Sequence, residues 1–356
     1  MVSPQETERR YSVVRGAMDD AGLDAVVVCG SEYTGFEGAV TYLSGFVIVH
    51  RYAYVVLPRE GEPSIVFPAE ARYVGEHGTS WISDQVFADR PGEWLAERLG
   101  GTRVGVYGLD YVLTVRDFAP LRDAADVVPF DVEFDLARAV KSDEELESVR
   151  DSVRINTQGF HLFADAYAPG KSAAEVLAPA EEYFVDEGCG RLTMNMVLVG
   201  AEFALARKET KLADFCIPSL EIAGPGGHWV EVSRALGTPN AEVGRMLEAY
   251  VEYFEAAKTA LRPGATAHDA HRAVSKGFTD RGYHLGHVTG HSIGMTMIEH
   301  PKIGEGIETE LKANMVFSMH PHVIADNGTD CLYMQDTWLV TADGGEPLAG
   351  LPMKIY

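Results

Sequence analysis

The sequence is poor in basic residues, in cysteines and in long apolar runs. Lys and Arg total 30 against 53 Asp and Glu, so the net charge of −23 repels nucleic-acid phosphates and anionic membrane surfaces. The four cysteines contain no C-x-x-C pair, which excludes a zinc knuckle and gives no sign of a disulfide framework. No apolar run approaches the roughly 18 residues of a membrane-spanning helix, and the N-terminus lacks a secretory signal. We therefore expect a cytoplasmic protein that binds neither nucleic acid nor membrane.

What the sequence does contain is enough apolar material for two folded domains. It has 356 residues, 46% of them hydrophobic, and ~150 residues per domain predicts two. Short β-branched runs after an N-terminal amphipathic helix are typical of a small α/β domain. Farther along, capping-box pairs that begin at Ser142, Ser172 and Thr266 mark helices that alternate irregularly with strands. We predict an α+β fold with domains at residues 1–135 and 136–356.

Histidines concentrate late in the chain. Six of the twelve lie within residues 284–322, several of them close to Gly290-His-Ser-Ile-Gly. A lone histidine is most often structural, but six so close together favour a functional site. The glycines on both sides of His291 permit a tight backbone that presents its ring.

Five segments carry a resemblance to the pita-bread family, which includes methionine aminopeptidase, aminopeptidase P, prolidase and creatinase. Three late motifs resemble the closing motifs of that family, and two earlier segments are similar to its N-terminal domain and its domain linker. In chain order they are Tyr42-Leu-Ser-Gly-Phe, Ala137-Arg-Ala-Val-Lys-Ser-Asp-Glu-Glu-Leu-Glu, Gly282-Tyr-His-Leu-Gly-His-Val-Thr-Gly-His-Ser-Ile-Gly, Leu311-Lys-Ala-Asn-Met-Val-Phe-Ser-Met-His-Pro and Met334-Gln-Asp-Thr-Trp-Leu-Val-Thr. The resemblance implies a C-terminal pita-bread catalytic domain behind a smaller creatinase-type α/β domain.

The metal positions of the family are changed in this sequence. Metallopeptidases of the family bind two metals with Asp, Asp, His, Glu and Glu. Aligned on Gly227-His-Trp-Val-Glu, those positions are, in order, Leu220 (with Glu221 adjacent), Glu231, His291, His320 and Gln335. Hard cations need several anionic oxygens, and here Leu, His and Gln replace three carboxylates. We expect that the two-metal centre is lost, and we assign neither a metal nor a cofactor.

The resemblance then favours a creatinase-like, metal-independent hydrolase or lyase. In this interpretation His291 and His320 are the general acid and base that cleave a C–N or similar bond. Glu231 orients one of them. Arg207 clamps the carboxylate of a small substrate, since Arg suits bidentate anion recognition, or it pairs instead with a buried carboxylate such as Glu221.

Further residues are expected to contact the substrate. Gln335, His228 and His287 are predicted to line the pocket, although His320 and Gln335 could also fill the former metal space with hydrogen bonds. The resemblance implies a homodimer in which the partner subunit's first domain reaches the site. Arg51 and Tyr52 lie at the corresponding place, and the alternative is that both are surface residues of a strand.

Three alternatives to this interpretation stay open. Glu231, His291 and His320 could hold a single Fe(II) or Zn(II) ion for hydrolysis or lyase chemistry. The chain could be an Xaa-Pro peptidase-like metalloenzyme, or a non-enzymatic binding protein on a degenerate peptidase scaffold. The two metal-dependent alternatives differ from the metal-independent interpretation in how strongly water is activated. A bound metal lowers the pKa of water from ~15.7 to ~7. Acid–base catalysis supplies only ~10² to 10⁴-fold, so a metal-free enzyme would need a labile bond.

Overall fold

A computed structural model describes residues 2–32, 38–48, 51–72, 80–189, 195–199 and 202–356. The chain divides into two compact units, Met1–Arg138 with Met295–Met297, and Ala139–Gly294 with Ile298–Tyr356. The sequence predicts a division between residues 135 and 136, and it does not predict that Met295–Met297 joins the first unit. Both units combine helices with sheets, which confirms the α+β class. Within the described ranges, no helix is long and apolar enough to cross a membrane.

The first unit combines five helices with six strands among its described residues. The helices are α1 (Pro4–Ala21), α2 (Gly38–Ser44), α3 (Pro91–Leu99), α4 (Val115–Ala124) and α5 (Asp131–Ala137). The strands are β1 (Ala25–Ser31), β2 (Tyr52–Pro58), β3 (Ser64–Pro68), β4 (Asp84–Ala88), β5 (Arg103–Tyr107) and β6 (Asp126–Pro129). They form one mixed sheet in the order β4-β3-β2-β1-β5-β6.

Helix α1 shows how local sequence sets the start of this unit. The Ser3 side chain accepts a hydrogen bond from the backbone N–H of Glu6, and Pro4 occupies the first turn, where a missing N–H costs nothing. The helix ends at Gly22, whose φ of 64° is the left-handed conformation that glycine adopts without penalty. Val14 and Met18, four residues apart, are fully buried, so one face of the helix joins the core.

The second unit holds four helices and thirteen strands in its described part. The helices are α6 (Asp143–Ala166), α7 (Ala173–Asp186), α8 (Ala241–Ala260) and α9 (Ala267–Thr279). The strands are β7 (Met196–Val199), β8 (Glu202–Leu205), β9 (Phe215–Ala223), β10 (Trp229–Val232), β11 (Leu236–Gly237), β12 (His284–Leu285), β13 (Gly290–Ser292), β14 (Glu299–Ile303), β15 (Val316–Met319), β16 (His322–Ile324), β17 (Cys331–Tyr333), β18 (Asp336–Val340) and β19 (Gly345–Pro347). They form sheets ordered β10-β9-β7-β8, with β11 on β9, then β12-β16-β17 and β14-β13-β15-β18-β19.

Helix starts in this unit lie where the sequence predicts them. Each of α6, α7 and α9 opens with a reciprocal capping box between a hydroxyl residue and an acid three residues later, namely Ser142 with Glu145, Ser172 with Glu175 and Thr266 with Asp269. A capping box satisfies backbone donors that the first turn leaves unpaired.

Helix α8 supports the strands that carry the candidate site. Phe254 lies edge-on against Trp338 of β18, with ring centroids 4.9 Å apart. The buried hydroxyl of Tyr250 donates to the carbonyl of Pro321 and accepts a 3.0 Å hydrogen bond from the backbone N–H of Met334. Because Pro321 and Met334 directly adjoin His320 and Gln335, this single phenol fixes the backbone at both positions.

Candidate active site

The site begins with a cross-strand pair of glutamates. Glu231 on β10 pairs directly with Glu221 on the antiparallel strand β9. Residues opposite each other in such a ladder project their side chains to the same face, about 5 Å apart. Both glutamates are buried, so two carboxyl groups lie side by side in the protein interior.

A row of three residues across the neighbouring sheet holds one of these glutamates. His291 on β13 pairs with Ser318 on β15, and Ser318 pairs in turn with Thr337 on β18. The Ser318 hydroxyl donates to Glu231 Oε2 at 2.5 Å, and Thr337 Oγ1 accepts a 3.0 Å hydrogen bond from the Glu231 backbone N–H. The register of this sheet therefore places Glu231 beside His291.

Glu231, His291 and His320 form the centre of the site. One ligand atom from each lies within 4.8 Å of the others, and all three residues are buried. Glu231 Oε1 is 3.5 Å from Nε2 of His291, and Glu231 Oε2 is 4.0 Å from Nε2 of His320. One carboxylate and two imidazoles at this spacing can hold a divalent transition-metal ion.

The protonation of the two imidazoles suits a metal ligand. His291 Nδ1 lies 3.0 Å from the carbonyl of Ser292, a contact that places the ring proton on Nδ1 and leaves a lone pair on Nε2. Burial lowers the pKa of His291, and it lowers the pKa of His320 well below the ordinary value, with the neighbouring histidines adding to the effect. Within the described part of the chain, the buried Nδ1 of His320 has no hydrogen-bond partner. Both rings are therefore neutral at pH 7, and each can offer a nitrogen lone pair to a metal ion.

Gln335 links the two glutamates. Its Nε2 lies 2.9 Å from Glu221 Oε1 and 2.8 Å from Glu231 Oε2, both shorter than its contact with the Tyr333 hydroxyl, so we assign one amide hydrogen to each carboxylate. Burial raises the pKa of both carboxyl groups, and the charge of Glu231 raises that of Glu221 further. Ser219 Oγ lies 3.0 Å from Gln335 Oε1, and Tyr333 contributes a hydroxyl 3.0 Å from Nε2.

Glu221 is the member of the site that the sequence alignment misses. Counting from Glu231 places the family's first acidic position on Leu220, whereas the residue that the structure pairs with Glu231 is Glu221. The carbonyl of Leu220 accepts a 2.8 Å hydrogen bond from Asn156 on α6, and its buried side chain projects to the opposite face of β9. The signal that could have found Glu221 was its own charge, since a glutamate in a strand as apolar as β9 needs a reason to be buried.

His287 lies next to the centre, in a group of aromatic and imidazole rings. Its ring centroid is 5.1 Å from that of His320 and 5.5 Å from that of His322. Tyr333 and Phe203 extend the group, with centroids 4.7 Å apart in an edge-to-face arrangement. His287 is exposed, so this group of rings, which we call the ring wall, connects the buried centre with the surface.

Two predicted substrate contacts lie outside this group. Arg207 is exposed in the turn after β8. Among the residues that the structure describes, Arg207 forms no ion pair with Glu221. His228 is buried against α6, where its Nδ1 is 2.8 Å from Ser148 Oγ and its Nε2 is 3.8 Å from Glu145. The structure brings neither residue to the centre.

Arg51 and Tyr52 belong to the first unit. Arg51 is exposed, with a φ of 65°, and its backbone N–H donates to Glu32 at 2.7 Å. The Tyr52 hydroxyl donates to Asp117 at 2.9 Å, so it has a structural partner within its own unit. The reach of these two residues into a partner subunit's site stays a prediction.

Comparisons with known proteins follow the same division of the chain. Residues 147–342, more than half of the sequence, match the family model described as metallopeptidase family M24. Residues 10–140 match the model of the creatinase/prolidase N-terminal domain. The two matches lie in the order that the pita-bread resemblance implies.

Individual relatives align over nearly the whole chain. The probable dipeptidase PepE of Mycobacterium tuberculosis is 26% identical over 98% of this chain and 95% of its own. The Xaa-Pro dipeptidase of Pyrococcus furiosus is 25% identical over 93% and 94%, respectively. The solved structure of dipeptidase PepE from Mycobacterium ulcerans covers 99% of this chain and 98% of its own, with a TM-score of 0.82 and 24% identity. The two-domain pita-bread fold expected from the sequence is thereby confirmed.

Proposed function

The chain belongs to metallopeptidase family M24, and on that premise we propose that it is a metal-assisted hydrolase of an amide bond in small peptides. One observation carries the proposal, namely the convergence of Glu231, His291 and His320 in a buried group whose ligand atoms lie within 4.8 Å. This donor set fits a single divalent ion such as Fe(II) or Zn(II). The names of two relatives, both dipeptidases, support the substrate class.

The proposal takes up an alternative rather than the interpretation that the sequence favours. The creatinase-like, metal-independent reading has His291 and His320 as general acid and base. The dipeptidase relatives support the Xaa-Pro peptidase-like metalloenzyme better, and we assign both histidines as ligands together with Glu231. The cytoplasmic location and the homodimer stay predictions.

The chain's own residues would hold the ion through a supporting layer of hydrogen bonds. Ser318 orients the Glu231 carboxylate, and the Ser292 carbonyl orients the His291 ring. Partners of this kind fix ligand geometry before the ion arrives. When bound, a divalent ion supplies Lewis acidity at a carbonyl oxygen and makes water a stronger acid.

The ring wall offers a place for a small substrate beside the centre. His287 Nδ1 lies 2.7 Å from the carbonyl of Val288, which leaves its Nε2 able to accept a hydrogen bond from a substrate N–H. Flat faces from His322, Tyr333 and Phe203 suit the apolar ring or side chain of a short peptide. A carboxylate clamp by Arg207 stays a prediction.

Metal content and dipeptide hydrolysis test the proposal together. The purified full chain is loaded with Mn²⁺, Fe²⁺, Co²⁺ or Zn²⁺ in turn, desalted, analysed for metal, and assayed on Xaa-Pro and other dipeptides. We expect hydrolysis that a chelator abolishes and that added metal restores. His291→Ala and His320→Ala should lose bound metal and about 10²-fold of turnover, because each removes a ligand. His161→Ala, an exposed histidine on α6, is the matched control and should change neither quantity.

The outcomes separate the competing functions. Hydrolysis that continues unchanged after complete metal removal would contradict the metal-assisted reaction and favour the metal-independent interpretation. Folded protein that binds metal but cleaves no peptide in the panel would contradict the substrate class. Full activity of both histidine variants would contradict the assignment of the site.

A further inference from the structure

The side-chain amide of Gln335 lies between the carboxylates of Glu221 and Glu231, where it affects how many metal ions the site can hold. Its Nε2 lies between Glu221 Oε1 and Glu231 Oε2, at 2.9 and 2.8 Å. These are the oxygen atoms through which an ion on the Gln335 side of the pair would bridge the two carboxylates. The two amide hydrogens thus satisfy the lone pairs that a bridging cation would otherwise take.

Several contacts hold the side-chain amide and the backbone of Gln335 in place. Gln335 Oε1 faces the hydroxyl of Ser219 at 3.0 Å, and a reversed amide would turn that oxygen toward two carboxylates. The backbone carbonyl of Gln335 accepts hydrogen bonds from Ser233 N–H at 3.1 Å and from Arg234 at 2.7 Å. Gln335 is fully buried, so its polar atoms depend on these protein partners for their hydrogen bonds.

We propose that the Gln335 amide takes the place of a second cation, so that this chain binds one divalent ion, held by Glu231, His291 and His320. Glu221 is then a hydrogen-bonded neighbour of the centre and not a ligand. The inference rests on the proposed metal site but not on the proposed substrate. It assigns Gln335 as a positioning residue that holds the Glu231 carboxylate for the one ion.

Charge explains why a glutamine at this position limits the number of ions. A second hard cation needs additional anionic oxygens, and the amide of Gln335 supplies hydrogens where such an ion would need oxygen ligands. Glutamate has the same length and shape as glutamine. Gln335→Glu therefore exchanges a donor for a carboxylate with little change in volume, and it places a third carboxylate beside Glu221 and Glu231.

Metal stoichiometry of three variants tests the inference without any peptidase assay. Wild type, Gln335→Glu and Glu221→Gln are titrated calorimetrically with Mn²⁺ and analysed for bound metal after desalting. We expect one ion per chain in wild type, two in Gln335→Glu and one in Glu221→Gln. The electron paramagnetic resonance spectrum should show isolated Mn²⁺ in wild type and a spin-coupled pair in Gln335→Glu. Gln158→Glu, the same change at an exposed position on α6, should keep one ion.

A stability measurement covers the case in which Gln335→Glu folds poorly without metal. Three buried carboxylates repel one another, so the metal-free variant should melt below wild type and gain more from added Mn²⁺ than wild type does. Two ions in wild type, a single ion in Gln335→Glu, or loss of the ion in Glu221→Gln would each overturn the inference. No bound ion in any variant would overturn the metal site itself, and the inference with it.

Discussion

Two buried acidic sites, one in each unit, satisfy their carboxylates very differently. In the first unit, the Asp117 carboxylate accepts hydrogen bonds at 2.9 to 3.0 Å from the hydroxyls of Tyr52, Tyr54 and Thr114 and from the backbone N–H of Gly92. Four donors thus serve one carboxylate.

In the second unit, two carboxyl groups share no more donor hydrogens than Asp117 receives alone. Glu221 and Glu231 receive two from the amide of Gln335 and one from Ser318, and the single hydroxyl hydrogen of Ser219 is shared between Glu221 and Gln335 Oε1. Burial of a carboxylate is tolerated where its lone pairs are satisfied, and it is costly beside a like charge. We infer that Asp117 serves the fold, whereas the glutamate pair lowers stability in exchange for a site that attracts a cation.

The largest change in stability is expected when the positive charge that pairs with a buried carboxylate of the second unit is removed. Asp336, next to Gln335, is buried and paired at 2.5 Å with the fully buried Arg234. Arg234→Met would leave Asp336 as an unpaired buried carboxylate and remove the hydrogen bond to the Gln335 carbonyl. We expect a loss of about 3–5 kcal/mol in the free energy of unfolding, measured by urea denaturation.

An exposed ion pair supplies the control for that experiment. Arg154 pairs with Asp151 at 2.9 Å on the surface of α6, where its side chain is 57% exposed. Arg154→Met should cost less than ~1 kcal/mol, because solvent already screens the pair. Equal losses in the two methionine variants would show that burial does not decide how much these ion pairs contribute to the free energy of unfolding.

A smaller effect is expected at the satisfied site of the first unit. Asp117→Asn replaces one acceptor oxygen with an NH₂ group that faces donors. We expect a loss of about 2 kcal/mol in unfolding free energy, since a buried donor left without an acceptor costs 1–3 kcal/mol. Asp123→Asn, at an exposed position on α4, should leave the denaturation curve unchanged. An unchanged denaturation curve for Asp117→Asn as well would show that the hydrogen bonds to the Asp117 carboxylate do not stabilise the first unit.

The fold of this protein could be predicted from local signals. The capping boxes at Ser142, Ser172 and Thr266 depend on residues three positions apart, so the sequence alone contains the whole interaction. The late motifs place His291, His320 and Gln335 in order along the chain. Met295–Met297 joins the first unit through contacts distant in sequence, and no local pattern predicts it.

The candidate site could be predicted only in part, because strand register decides which side chains meet. A shift of one residue along β9 exchanges Leu220 for Glu221, since successive side chains point to opposite faces. Tyr333 and Ser219 likewise join the site through pairing and turns that the motifs do not encode. The family resemblance predicts Arg207 and His228 near the site, and the structure brings neither to Glu231.

The smallest effect, and the one of opposite sign, is expected at the glutamate pair. Glu221→Gln makes the same carboxylate-to-amide change as Asp117→Asn, but it removes a carboxyl group whose pKa burial and the charge of Glu231 raise to about 8, so that folding at neutral pH must protonate it at a cost in stability. Its new amide oxygen can still accept the hydrogen bond from Gln335. We expect the metal-free variant to gain about 1 kcal/mol in unfolding free energy, measured by urea denaturation in chelator. If Glu221→Gln instead lost stability as Asp117→Asn should, the glutamate pair would be a structural element like Asp117, and its buried charge would no longer argue for a cation.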